Sequence, residues 1–247
     1  LDLASLDQLW SPRAGLIYQP VSTLSLYVNH SIGYMPRAGD QLISLNVGNQ
    51  ALKPEKYTTL EMGAKWVVRE GLDATAAIYR SHRSHAAVPD PVVPNQYWLV
   101  DGQLVRGVEL GLSGAVTSSW QVSGGYTYMD ARLLSTLSAA GRVGAVLAHA
   151  PRHSLSVWNR FLLAPEWALG LGVSYRGRVF TSTDNSVVLP EYARVDAALY
   201  YQPSPGLTLQ LHAENLLDQR YYAFAHSNNN ITPGSPRALR LSLITAF

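Results

Sequence analysis

The chain has no cysteine, so it holds neither a disulfide framework nor thiol chemistry. Charge is also scarce: only 15% of the 247 residues are Asp, Glu, Lys or Arg, against about a quarter in ordinary soluble domains. The net charge of +2 excludes a polybasic nucleic-acid binder. No apolar run approaches the roughly 18–20 residues of a membrane-spanning helix. Leu1-Asp2-Leu3-Ala4 lacks both the basic start and the apolar stretch of a secretory leader, as expected of a mature form or of part of a longer protein. Nucleophile motifs and phosphate-cradling glycine loops are missing, and Asp184, Glu191, Asp196 and Glu214 are not spaced as an acid/base pair. In His82-Arg83-Ser84-His85 the two histidines would face opposite sides of a strand, with no carboxylate close by. The expectations are therefore no enzyme, no metal and no cofactor.

What the chain does have is alternation. Eleven stretches of about ten residues place apolar side chains at every second position, the period of a half-buried strand. In 23–32, Leu24, Leu26 and Val28 oppose Ser25, Tyr27, Asn29 and Ser31. In 57–68, Leu60, Met62, Ala64, Trp66 and Val68 oppose Thr59, Glu61, Gly63 and Lys65. The same pattern runs through 167–176, 206–216 and 237–247. Further strands are expected near 12–19, 72–82, 103–116, 120–130, 152–163 and 191–201. In 152–163, Trp158 falls out of phase with Leu155, Val157 and Phe161.

The connectors switch between short and long. Short ones fall at 19–22, 69–71, 117–119, 164–166 and 202–205; long ones at about 34–55, 83–102, 131–151, 180–190 and 218–235. A soluble sandwich has no reason to gather its long loops at one end. A transmembrane β-barrel does, with tight periplasmic turns and long external loops. The expected fold is all-β, an antiparallel outer-membrane barrel. Aromatic residues near strand ends (Tyr18, Tyr34, Trp66, Trp120, Tyr126, Tyr128, Trp167, Tyr175, Tyr201 and Phe247) suit interfacial girdles. Counting inward from the last long connector puts Phe247 in the periplasm and the first strand's start outside. Single-chain bacterial barrels have even strand numbers, so eleven strands imply a partial barrel.

Seven motifs follow in order over residues 50–247: Leu52-Lys53-Pro54-Glu55 with Glu61-Met62-Gly63-Ala64-Lys65; Arg106-Gly107-Val108-Glu109-Leu110; Tyr126-Thr127-Tyr128-Met129-Asp130-Ala131; Ala150-Pro151-Arg152-His153-Ser154; Leu189-Pro190-Glu191-Tyr192-Ala193-Arg194-Val195-Asp196; Asn215-Leu216-Leu217-Asp218-Gln219-Arg220-Tyr221-Tyr222; and Pro233-Gly234-Ser235-Pro236-Arg237 with the terminal Phe247. In this order and spacing they resemble the motifs of TonB-dependent siderophore receptors of the ferrichrome-receptor-like branch. The resemblance implies that 1–247 is the C-terminal portion of a 22-stranded barrel, about eleven of its strands, with no plug domain present. It implies active transport of a ferric siderophore across the bacterial outer membrane, energised by the TonB-ExbB-ExbD complex through a segment outside this chain. The siderophore would be cargo rather than cofactor. Phe247 resembles the insertion signal read by the barrel-assembly machinery, and outer-membrane lipid is the expected surround.

The residues expected to contact ligand are Tyr34, Tyr97, Trp98, Tyr222 and Phe224, aromatic groups where strands leave the membrane. Lumen-facing Glu61, Lys65, Glu109, Arg194, Asp196, Glu214 and Arg240 are expected to dock the plug and brace the wall with ion pairs. Other readings stay open: a receptor for another bulky nutrient, a signalling receptor, a passive porin, or a soluble β-protein.

Overall fold

The computed structural model describes residues 6–36, 51–90, 93, 96–136 and 141–245. Phe247, the proposed insertion signal, lies outside them. Among the described residues there are seventeen strands and no helix. The strands are β1 (Arg13–Val21), β2 (Leu24–Met35), β3 (Glu55–Arg69), β4 (Leu72–Ser84), β5 (Ala86–Pro89), β6 (Tyr97–Val100), β7 (Gln103–Thr117), β8 (Trp120–Leu133), β9 (His153–Ala164), β10 (Trp167–Arg176), β11 (Val179–Phe180), β12 (Val188–Leu189), β13 (Tyr192–Ser204), β14 (Leu207–Glu214), β15 (Tyr222–Ser227), β16 (Asn230–Pro233) and β17 (Ala238–Thr245). Eleven of them form one sheet in the order β1-β2-β3-β4-β7-β8-β9-β10-β13-β14-β17. These are the eleven stretches found by alternation. Each pairs antiparallel with its neighbour, and among the described residues no pairing joins β1 to β17.

All five short connectors are two-residue turns, closing between Val21 and Leu24, Arg69 and Leu72, Thr117 and Trp120, Ala164 and Trp167, and Ser204 and Leu207. A register irregularity sits beside each one. Such bulges add right-handed twist where a strand pair must curl into a wall. Gly114 serves the Arg69–Leu72 turn. It holds φ at +131°, and a side chain there would run into the Gly71 carbonyl.

The ladder carries one face across the whole sheet. Leu26, Ala64, Ala76, Leu110, Tyr126, Leu155, Tyr175 and Ala193 lie in one cross-strand row, and Val28, Met62, Ile78, Val108, Tyr128 and His153 in the next. On this apolar face Leu239 and Leu241 are each 72% exposed and Ile78 53%. Leaving such side chains in water forgoes about 1.5–3 kcal/mol each; a lipid surround removes that cost. Near the short turns the face carries Trp66, Trp120, Phe161, Trp167 and Tyr201, with Trp167 stacked on Tyr201 at 4.4 Å and Trp120 on Phe161 at 5.9 Å. Tyr126, Tyr128 and Tyr175 lie toward the long connectors. These are two aromatic belts around an apolar band.

The six remaining strands are hairpins inside long connectors: β5–β6, β11–β12 and β15–β16. The alternation pattern did not reveal them. The last two meet in a cap. Val179, Leu189 and Ala225 are buried together against Ile231 and form the hydrophobic cluster of the described residues. A sheet whose apolar side faces lipid has no reason to bury it against protein, so the water-type core sits among the loops.

Candidate functional site

The other face of the sheet is polar. Its rows include Ser25, Lys65, Thr75, Gly111, Gly125, Ser156, Ser174 and Arg194, and then Tyr27, Gly63, Ala77, Glu109, Thr127, Ser154, Arg176 and Tyr192. Alternation in register places all seven named lumen residues here: Glu61, Lys65, Glu109, Arg194, Asp196, Glu214 and Arg240. Tyr27 donates its hydroxyl to Glu61 at 2.7 Å, and the Lys65 ammonium stands 5.9 Å over the Tyr27 ring. Tyr27, Glu61 and Lys65 line a groove of about 640 Å³ with Gly15, Ile17 and Gln19 of β1. Arg240 reaches Glu214 at 3.5 Å.

Rings lie flat on this face because glycine stands opposite them. Tyr27 pairs with Gly63, Tyr79 with Gly107 and Trp158 with Gly172. A Cβ at Gly63 would come within 2.6 Å of the Tyr27 ring, and one at Gly170 within 2.5 Å of the Trp158 indole. The missing side chain lets each ring fold down across the neighbouring strand. This explains the broken phase at Trp158. The residue belongs to the polar face, out of step with Leu155, Val157 and Phe161.

Toward the long connectors the polar face ends in an arginine–tyrosine cluster. Arg176 donates to the Ala223 carbonyl at 2.6 Å and the Tyr222 carbonyl at 2.7 Å, while its guanidinium covers the Tyr192 ring at 4.9 Å. Tyr192 packs on Tyr221 with centroids 4.3 Å apart. Arg194 donates to the Tyr221 hydroxyl at 3.4 Å and to Asp196 at 2.9 Å. The Nε atoms of Arg176 and Arg194 have no partner. Two guanidinium groups beside two phenol rings can receive an anionic, aromatic-sized group. Tyr221 stands beside Tyr222 and Phe224 in the aromatic group that the sequence marks at the strand's exit, whereas Arg176 and Tyr192 were not singled out as site residues. The signal was available, since Arg176 and Tyr192 keep the period of Arg194 and Asp196.

The motif residues behind this cluster hold the loops. Asn215 is 1% exposed and adopts φ +51°. Its amide donates to the Gln219 and Ser235 carbonyls, both at 3.0 Å, and its carbonyl accepts from the Gln219 N–H at 2.8 Å. Asp196 accepts the Asn215 N–H at 2.8 Å. At the other side of the wall Glu55, 5% exposed, accepts two bonds from Arg83 at 2.6 and 2.7 Å.

The cap is tied above. Asn185 exchanges two bonds with Val146, at 2.8 and 2.9 Å, and Asn228 donates to Asp184 at 2.8 Å. The Ser186 N–H, the Ser182 and Ser186 hydroxyls and the Asn228 amide hold the Asp184 carboxyl well below the usual carboxylate range.

The five residues expected to contact ligand fall in three places. Tyr222 (47% exposed) and Phe224 (51%) lie on β15, with Phe224 stacked on His149 at 4.7 Å. Tyr97 and Trp98 lie on β6, where the Trp98 indole donates to Asp90 at 2.8 Å. Tyr34 keeps the phase of Leu24, Leu26 and Val28, so at the long-connector end of β2 it stands on the outward face, with Lys56 as its cross-strand neighbour, and not on the polar face. Among the described residues no ring contact joins the three places. No group of three or more His, Cys, Asp or Glu residues suited to a metal ion occurs among them either.

Comparison with known proteins agrees with this geometry. Residues 4–216 match the family model described as TonB dependent receptor-like, beta-barrel. The chain is 32% identical to the probable TonB-dependent receptor BfrD of Bordetella pertussis, covering 99% of this chain and 34% of that protein. Among solved structures, the siderophore receptor PiuA of Acinetobacter baumannii superposes with a TM-score of 0.86 at 28% identity, over 94% of this chain and 35% of that one. The closed form of the ferric-catecholate import receptor Fiu of E. coli K12 gives 0.85 at 27%, over 95% and 34%. The chain thus spans about a third of the length of the relatives it matches.

Proposed function

Because the chain belongs to the family of TonB-dependent receptor-like β-barrels, we propose that residues 1–247 are one stretch of the wall of an outer-membrane receptor that imports a ferric siderophore. The observation that carries this reading is the pairing of a lipid-type apolar face with a polar face that ends in Arg176, Tyr192, Arg194 and Tyr221. A ferric siderophore of the catecholate kind is a large anion with aromatic edges. Guanidinium and phenol groups bind such a ligand by charge-assisted hydrogen bonds and stacking. The name of Fiu, a catecholate receptor, points the same way.

In this reading the polar rows, with Glu61, Lys65, Glu109, Asp196, Glu214 and Arg240, face a plug domain supplied by the rest of the receptor. Import draws on the TonB-ExbB-ExbD complex, and barrel-assembly machinery inserts the wall. The receptor performs no chemistry on its cargo and carries no cofactor of its own.

The test is uptake of radiolabelled iron by iron-starved cells expressing the complete receptor. Catecholate and hydroxamate chelates are compared, with and without a working TonB complex. Energy-dependent uptake of the catecholate is expected, and Arg194→Ala should lower it about tenfold, the loss of one charge-assisted contact. Uptake that persists without TonB would indicate a passive pore and overturn the proposal. The orientation is checked by single cysteines on intact cells. An impermeant maleimide should label Asn229→Cys and spare Gly71→Cys.

A further inference from the structure

The guanidinium-over-phenol arrangement of the mouth occurs a second time on the polar face. Arg160 of β9 stands 5.3 Å over the Tyr200 ring, as Arg176 stands 4.9 Å over Tyr192. Tyr200 lies eight residues beyond Tyr192 on β13, about 27 Å along the strand. The second pair is therefore near the short turns, at the opposite end of the wall. The register sets Arg160 beside Gly170 and Gln121. Gly170 leaves room for the Trp158 and Tyr200 rings together: a Cβ there would come within 2.5 Å of the indole and 3.2 Å of the phenol ring. Indole, phenol and guanidinium thus form one continuous patch.

The patch opens on a cavity. Trp158 and Arg160 line about 440 Å³ with Gln121, Ser113, Ser123 and Gly71 of the Arg69–Leu72 turn. Ser113, Ser123 and Trp158 also line an adjoining hollow that reaches Gly125 and Ser156. Those two residues share a cross-strand row with Ser174 and Arg194. A furrow floored by small side chains thus runs from the row of Arg194 down to a short turn.

The charge of the patch argues for its occupant. Arg194 and Arg240 are paired with Asp196 and Glu214. The Arg160 guanidinium has neither an ion pair nor a hydrogen bond among the described residues. Asp73 lines the far margin of the furrow, in the row Asp73, Ser113, Ser123, Trp158; that is three strands from Trp158, about 14 Å. An unneutralised guanidinium beside two rings suits an anion with aromatic edges. The mouth cluster presents the same chemistry.

We propose that Trp158, Arg160 and Tyr200 form a second station for the anionic cargo, occupied on its way from the mouth to the periplasm. The station presupposes the ferric-catecholate cargo of the mouth cluster and adds the place where that chelate lodges before release. The competing occupant is a carboxylate of the plug that merely neutralises Arg160.

The complete receptor, cysteine-free but for Ser123→Cys, would be expressed in iron-starved cells. The probe is a ferric tris-catecholate chelate carrying a thiol-reactive methanethiosulfonate arm, and the adduct is read by mass spectrometry of the purified receptor. An adduct at position 123 should form only with a working TonB complex. Adding Arg160→Gln should lower it about tenfold, the loss of one charge-assisted contact, while chelate binding to de-energised cells stays unchanged. Arg160→Lys, which keeps the charge, should retain most of the adduct. Three results would each overturn the proposal: no adduct in cells that import the iron, an adduct as strong without TonB, or an adduct undiminished in the glutamine variant. Easier proteolysis of the plug in Arg160→Gln would assign the arginine to the plug and overturn it as well. Parent cells that neither bind nor import the chelate would refute the mouth reading, and the station with it.

Discussion

Replacing Gly172 by alanine tests the argument that glycine lets the aromatic rings lie against the wall. A Cβ at 172 would overlap Trp158 Cε3 and come within 2.7 Å of Cζ3, where carbon atoms normally rest about 3.5–4.0 Å apart. The indole has to move by roughly an ångström, but it is held on two sides. The Gly170 backbone lies under its other edge, and the His212 ring stands against it at 6.0 Å, edge to face. Overpacking of this kind costs about 1–3 kcal/mol. Alanine in a strand recovers about 0.5–1 kcal/mol relative to glycine, so a net loss of about 1–2 kcal/mol is expected. In a Trp158→Ala background the obstruction is gone, and Gly172→Ala should be neutral or stabilising by up to about 1 kcal/mol. The coupling between the two sites is then about 2 kcal/mol, well above the roughly 0.5 kcal/mol expected of independent sites. Urea unfolding of the barrel in lipid vesicles, followed by the gel-mobility shift of the folded form, measures all four proteins. Equal costs of Gly172→Ala in both backgrounds would refute the reasoning.

Three further outcomes follow from the loop anchors and the buried pair. Asn215→Ala removes two donors and one acceptor from a site that water does not reach. It should destabilise the 215–235 connector by about 3 kcal/mol, seen as faster proteolysis within 218–235 while the wall strands stay protected. Glu55→Gln leaves the Arg83 guanidinium without its charged partner and should cost about 3 kcal/mol in the same urea assay; a loss below about 0.5 kcal/mol, the scale of a surface substitution, would show that the pair is not a buried one. For Asp184 the folded-state pKa is depressed, so the docking it supports is fully present above the ordinary aspartate range. That docking is lost only as pH falls through the lower folded value. Hydrogen-exchange protection factors, which divide out the intrinsic pH dependence of exchange, should thus be alike at pH 7 and pH 5 in 177–190 and 225–231, and should fall at both in Asp184→Ala.

Much of the wall was legible without coordinates because a strand between lipid and a polar lumen repeats every two residues. Leu239, Leu241 and Leu243 against Arg240 and Ser242 leave one way to face. Where the period failed, the cause lay on another strand. Trp158 looks misplaced in its own segment and becomes intelligible only opposite Gly170 and Gly172. The hairpins β5–β6, β11–β12 and β15–β16 escaped notice for a related reason. Strands of two to six residues carry too little alternation to read, and β11, β12 and β15 are fixed by the Val179–Leu189–Ala225 cluster that brings distant connectors together. Aromatic content drew attention to Tyr34, Tyr97, Trp98, Tyr222 and Phe224, which the fold sets in three separate places, whereas only the register brings Arg176 and Tyr192 to Tyr221 at the end of the polar face.

The sequence by itself determined the number of wall strands, the positions of the short turns, the two faces and the family. Each is set by local periodicity or by short motifs, which need no partner to be recognised. Tertiary structure alone decided which residues meet. Register places Asp130 of β8 beside Arg106 of β7, sets Arg176 over Tyr192, and turns Asn215 into the anchor of a distant Ser235. A cross-strand neighbour depends on the alignment of two segments far apart in the chain, and a one-residue slip would exchange every contact for another.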